Sequence, residues 1–189
     1  MRTIFAMLLF ASAAFAQDHE TATRLTQSAC GPEDAQLDIN TDKEQHPMGS
    51  LEAGKALVYV IEEQKSREGF QGVTTRVGLD GAWVGANRGN SYFFFSVEPG
   101  EHHLCSDWRV GLLSGGGTKV ALANFTAEAG KVYYFRVRTM GTKDMPNILD
   151  LDQLNSDQGQ FLAASVAFSS PAAKKQGGAN RVRSGKPAK

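Results

Sequence analysis

The residue types of a hydrolytic triad and of a zinc site fall within six positions, His102-His103-Leu104-Cys105-Ser106-Asp107. A serine or cysteine nucleophile needs an imidazole within hydrogen-bond reach, and a structural zinc ion needs four protein ligands. The segment reads as a strand, and successive strand side chains point to opposite faces. His103, Cys105 and Asp107 therefore share one face, while His102 and Ser106 share the other. Same-face neighbours lie roughly 6 to 7 Å apart, twice the rise per residue, too far for a direct serine-to-histidine bond. A zinc site would need ligands from elsewhere, and no histidine or cysteine pair stands at ligand spacing. An uncharacterised hydrolase or metal-binding protein using His102 and His103 is thus the alternative. The leading expectation is a chain with no catalytic residue, no metal and no cofactor.

Other candidates dissolve on inspection. Gly111-Leu112-Leu113-Ser114-Gly115-Gly116-Gly117-Thr118-Lys119 has the glycine content of a phosphate loop but not its order. That motif requires Gly-Lys-Ser/Thr opening a helix, whereas here threonine precedes lysine and a strand follows. The stretch reads as a connection between strands. Asn124-Phe125-Thr126 is a formal glycosylation sequon overlapping a strand, and paired carboxylates such as Glu62-Glu63 adjoin strand ends expected to be exposed.

The compartment decides what Cys105 can do. Arg2, an apolar run from Ile4 to Phe10 and the small residues of Ala14-Phe15-Ala16 precede the polar Gln17-Asp18-His19-Glu20. This is the order of a secretory signal, and cleavage is expected between Ala16 and Gln17. The alternative, a transmembrane anchor, needs roughly 20 apolar residues, and the run is far shorter. No cysteine stands at the cleavage point to accept lipid, and no later segment is apolar enough to span a bilayer. Export places Cys30 and Cys105 where disulfides persist. If bridged, they close a loop of about 75 residues, to which the chain-entropy model assigns roughly 4 kcal/mol. Two free thiols are the alternative.

The elements that position these residues are mostly strands. Residues 17–54 read as an extended polar arm with at most one strand, near Leu37-Asp38-Ile39. Ala56-Leu57-Val58-Tyr59-Val60-Ile61 is a buried strand. Asp80-Gly81 between alternating segments signals a type I′ hairpin. Its register sets Leu79 opposite Ala82, Val77 opposite Val84, and Gly78 under the Trp83 ring. Tyr92-Phe93-Phe94-Phe95-Ser96-Val97 is apolar on both faces and should be a central strand. Glu98-Pro99-Gly100-Glu101 is expected to close a second hairpin onto His102–Trp108, and Ala129-Gly130 a third between Lys119–Phe125 and Lys131–Arg138. A loop should occupy Met140 to Asn147. The period then changes, and Leu151, Leu154, Phe161 and Leu162 suggest one helix near 156–166, capped by Asn155 or Ser156. From about residue 169 a basic tail should be disordered. The fold class is mainly β, an antiparallel β-sandwich with one short C-terminal helix. The domains are a signal peptide 1–16, an arm 17–54, a sandwich 55–168 and a tail 169–189.

Several segments together carry a resemblance. They are Gly54-Lys55-Ala56-Leu57-Val58-Tyr59, Leu79-Asp80-Gly81 with Val84-Gly85, Gly89-Asn90-Ser91-Tyr92-Phe93, Val97-Glu98-Pro99-Gly100-Glu101-His102 and Ala129-Gly130-Lys131-Val132-Tyr133-Tyr134. Over roughly residues 30–165 the chain resembles a family of exported bacterial domains of unknown function, small periplasmic proteins and lipoproteins. The resemblance implies a fold similar to transthyretin-like and carboxypeptidase-regulatory-like sandwiches, and it carries no catalytic residues. This chain lacks the cysteine that lipidated members use.

Charge narrows the partner. The formal net charge is zero. With one basic residue in 1–16, six in 171–189 and no acid in either, residues 17–170 keep 13 basic against 20 acidic, a net −7. That body is no nucleic-acid binder. The expectation is a periplasmic or secreted, non-catalytic module that binds an envelope protein or polymer.

Overall fold

The structure, a computed structural model, describes residues 20–66, 74–110, 117–142 and 145–171. The cleavage point at Ala16 and Gln17, residues 111–116 and the tail from 172 lie outside the described residues. Among the described residues, ten strands build two stacked sheets. One sheet has six strands in the order β1 (Ile39–Asp42), β10 (Ala167–Pro171), β5 (Ser91–Val97), β2 (Ala56–Ser66), β8 (Val132–Thr142) and β9 (Met145–Leu154). The other has four, in the order β4 (Ala82–Arg88), β3 (Thr74–Leu79), β6 (Gly100–Val110) and β7 (Gly117–Ala127). A helix, α1, covers residues 20–29 and a second, α2, covers Ser156–Ser165.

The mainly β sandwich is as expected, with two refinements. The four-stranded sheet is antiparallel throughout, but the larger one is mixed, because β2 pairs with β8 and β10 with β5 in parallel. The turns at Glu98-Pro99 and Ala129-Gly130 do not close hairpins. β5 and β6 lie in different sheets, as do β7 and β8, so both turns carry the chain across the core. Turn residues specify a reversal, with Gly100 at φ 145° and Gly130 at φ 78°, but which neighbour the next strand meets is decided by packing. The Asp80-Gly81 turn is a true hairpin, with φ positive at both residues, 50° and 83°.

The remaining differences are local. Residues 20–29 are helical rather than extended. Of the loop expected over Met140 to Asn147, residues 140–142 belong to β8 and 145–147 to the antiparallel β9, while 143–144 lie outside the described residues, and Leu151 and Leu154 sit on a strand. Helix α2 begins where expected, with the Asn155 Oδ1 accepting from the Gln158 N–H at 2.9 Å. Residues 169–171, expected in the tail, belong to β10, which pairs with β1 and closes the sheet beside β5.

The core between the sheets gathers Val58, Val60, Phe93 and Phe135 from one side and Val77, Leu104 and Phe125 from the other. The larger sheet is apolar on its outer face too, so it needs a second cover. There Tyr59 stacks on Tyr134 at 5.0 Å and on Tyr92 at 6.2 Å. Helix α2 lies over Tyr134, and the segment before β2 crosses the rest, with the Gly49 N–H donating to the Tyr59 hydroxyl and the Tyr92 hydroxyl to the Pro47 carbonyl. Tyr92–Val97 is thus covered on both sides, as its sequence requires.

Helix α2 approaches so closely because Gly159 has no side chain. A Cβ there would overlap Cβ and Cγ of Tyr134. Alanine gains about 1 kcal/mol in helix propensity, yet overpacking costs about 1–3 kcal/mol. G159A is expected to lower the urea midpoint, and an unchanged or higher midpoint contradicts the contact.

Candidate functional site

The alternation of β3 sends Thr75 and Val77 into the core and Arg76 and Gly78 to the outer face of the smaller sheet. On the neighbouring β6, Asp107 lies opposite Arg76 and Cys105 opposite Gly78. An outer face would ordinarily leave this arginine in water. Here it is buried, because Cys30 is bridged to Cys105 with Cα atoms 5.2 Å apart, and the bridge lays residues 29–35 across the sheet. The stapling of the N-terminal segment expected from the two cysteines is therefore realised.

The covered surface is a bonded network. Arg76 grips Asp107 with two bonds, Nε to Oδ1 at 2.8 Å and Nη2 to Oδ2 at 2.5 Å. Its Nη1 donates to the Glu33 and Ala35 carbonyls at 3.2 and 2.6 Å. The guanidinium carbon stands 4.0 Å from the centroid of the Trp83 ring, a cation–π contact, and the indole N–H donates to the Pro32 carbonyl at 2.8 Å. One cation thus ties two strands, one aromatic ring and two carbonyls of the N-terminal segment.

Two register expectations change here. A bulge between Val77 and Gly78 sets Val77 opposite Gly85, so Val84 is the extra residue, while Gly78 opposite Trp83 and Leu79 opposite Ala82 hold. The Trp83 ring does not cover Gly78. Backbone atoms of Ala29 and Cys30 fill that space, and Trp83 lies instead against Gly31. Once a bridge carries backbone onto Cys105, glycine beside it is a matter of room for that backbone.

Between the end of α1, the covering segment and β7 runs a groove of about 430 Å³. Its walls include Thr26, Gln27, Pro32, Trp83, Thr118 and Val120. With the Arg76 charge neutralised by Asp107, the groove offers hydrogen-bonding groups, apolar surface and, from the covering segment, the exposed acidic residue Glu33.

The histidines sit elsewhere, as alternation requires. His102 faces inward at the rim of the core, tilted against Phe125 at 5.5 Å, and His103 faces outward. Both ring nitrogens of His102 meet acceptors, Nδ1 on Asp80 Oδ2 at 2.6 Å and Nε2 on the Glu98 carbonyl at 2.8 Å. Asp80 Oδ1 also accepts from the His103 backbone N–H at 2.8 Å. Satisfying both acceptors takes two N–H groups, that is, an imidazolium. Burial pulls the His102 pKa down, but the Asp80 bond, the Glu98 carbonyl and the Asp80 charge outweigh it and hold it above the usual histidine value. Burial likewise pushes Asp80 up, but bonds from His103 and His102 hold it below the usual carboxylate range. Ser106 lies on the same face as His102, and its hydroxyl is 3.5 Å from the Arg76 carbonyl. Among the described residues, no three His, Cys, Asp or Glu side chains converge as a metal site.

Sequence reasoning missed the partners rather than the positions. Arg76–Asp107 and His102–Asp80 link residues 31 and 22 apart, and neither separation is periodic. A signal for the first existed, since Asp107 shares a strand face with Cys105, and a bridge from Cys30 must cover that face. Glu62, expected at an exposed end, is fully buried, because β2 runs on to Ser66 and its even positions face the core. Its Oε1 accepts from the Thr75 hydroxyl at 2.8 Å.

Two outcomes follow. R76M leaves the Asp107 carboxylate buried without its cation, and urea unfolding should show a loss of about 3–5 kcal/mol. The double variant R76M/D107L should recover most of it; a single-variant loss under about 1 kcal/mol, the range of an exposed pair, contradicts the burial. For His102, a raised folded pKa means a contribution complete below the ordinary value near 6.5 and lost as pH rises through the folded value. The Asp80 contribution is present above its ordinary value near 3.8 and is lost as pH falls through its folded one. Imidazole NMR titration should place the His102 midpoint above 6.5 and lower it in D80N. A midpoint unmoved by D80N contradicts the pairing.

A family model described as a protein of unknown function (DUF2846) matches residues 52–147, just over half of the chain. No curated protein and no solved structure matches significantly. The matched span runs from just before β2 into β9, and it includes Arg76, Trp83, His102, Cys105 and Asp107 but not Cys30. The chain belongs to the DUF2846 family of proteins of unknown function.

Proposed function

We propose that the chain is an exported, non-catalytic binding module of the bacterial cell envelope, periplasmic or secreted, and that the groove beside the disulfide receives its partner. One observation carries the non-catalytic reading: the side chains best suited to chemistry are engaged in holding the fold. Cys30 and Cys105 are bridged, Asp107 is gripped by Arg76, and both nitrogens of His102 are bound. A base with no free lone pair cannot take a proton from a nucleophile. The bridge also suits an oxidising compartment, and the order of residues 1–16 is that of an export signal. A groove lined by polar and apolar groups and the acidic Glu33, with its arginine already paired to Asp107, favours an envelope protein or polymer over nucleic acid, consistent with the net charge of −7 over residues 17–170.

The test is made on the full-length chain expressed in bacteria. Fractionation should recover it outside the cytoplasm, starting at Gln17 and with no alkylatable thiol before reduction. A photo-crosslinking residue at Gln27, in the groove, should capture a defined envelope component that the same residue at Phe161, exposed on α2, does not. A cytoplasmic, unprocessed product with two reactive thiols overturns the export reading, and identical capture from both positions overturns the groove.

A further inference from the structure

The four strands at the sheet margins are not equally protected. An open edge offers unpaired N–H and C=O groups to any other strand, and proteins ordinarily blunt it with shortness, proline, charge or a bulge. β1 has four residues, and β9 contains Pro146 and carries Asp150 and Asp152. β4 is bulged at Val84, and its Ala86 carbonyl accepts from the Ser169 hydroxyl at 2.9 Å. β7 has neither shortness, proline nor a bulge. Its eleven residues, Gly117–Ala127, pair with β6 in unbroken register, contain no proline and include one charge, Lys119. Among the described residues no strand pairs with its other side.

We propose that β7 is a dimerisation edge, and that its occupant is β7 of a second copy, added antiparallel about a two-fold axis at Ala121. The register follows from the side chains. Val120 and Leu122 lie on the outer face, 37% and 42% exposed, while Ala121 and Ala123 pack inward. A two-fold axis normal to the sheet preserves faces, so outward residues meet outward residues. With the axis at Ala121, Val120 faces Leu122 of the second copy and Leu122 faces its Val120. Moving the axis to Val120 or Leu122 sets one of these apolar residues against Thr118 or Asn124. The Ala121 register also places each Lys119 opposite Ala123, so like charges do not meet, and cross-strand apolar pairs are favourable. Because Thr118 and Val120 also line the groove, the dimer brings two grooves to either side of its axis.

Sedimentation velocity on the mature chain over a concentration series tests this. The wild type should rise to twice the monomer mass with concentration. L122K and V120K should stay monomeric over the same range with unchanged circular dichroism. L51K, at an apolar residue 46% exposed outside β7, should dimerise as the wild type does. A wild type that remains monomeric throughout overturns the proposal, whether or not another protein's strand binds the edge. So does a folded L122K that still dimerises.

Discussion

Burying an arginine on the outer face of a four-stranded sheet is possible only if every part of its charge finds a partner. Asp107 neutralises the cation, two carbonyls of the N-terminal segment take Nη1, and the Trp83 ring covers its plane. Removing any of these partners from water is unfavourable on its own, and they are tolerable together because each satisfies another. The disulfide makes that arrangement local: it brings Ala29 and Cys30 onto the sheet, so Glu33 and Ala35 need little further ordering to reach Arg76. Gly78 and Gly31 are required by the same closeness, one under the covering backbone and one against the Trp83 ring.

The larger sheet solves the matching problem with aromatic rings. Tyr59, Tyr92 and Tyr134 present apolar bodies to one another and polar tips outward, which is how such side chains sit at half-covered surfaces. The Tyr59 and Tyr92 hydroxyls then hold residues 47–49 as the chain crosses from β1 toward β2. The segment 29–49 therefore touches both sheets, first over Arg76, then as β1 beside β10, then over the tyrosines. It acts as a belt around the sandwich.

The balance between structure and chemistry follows from this economy. The histidine-rich strand holds a hydrolase's residue types, but alternation separates them and the turn at Asp80 takes up His102. Holding that turn to the Glu98 segment joins the β3–β4 hairpin to the crossing between sheets, a mechanical role for a residue usually noticed for its chemistry. Among the described residues, the groove beside the bridge and the β7 edge are surfaces open to a partner.

Elements with local causes were legible in the amino-acid order alone. Asp80-Gly81 permits positive φ at both central residues, so its turn type was legible; Asn155 caps α2 because its side chain reaches a backbone N–H three residues on. The doubly apolar Tyr92–Val97 could only be a strand covered on both sides. Strand pairing, in contrast, was set by long-range packing. Glu98-Pro99-Gly100 and Ala129-Gly130 reverse the chain equally well into a hairpin or across a core, and only the requirement to bury both faces of the larger sheet selects the crossing. The same holds for Arg76 and Glu62, whose alternation was readable but whose burial was not, because burial depends on what distant chain lies above a residue.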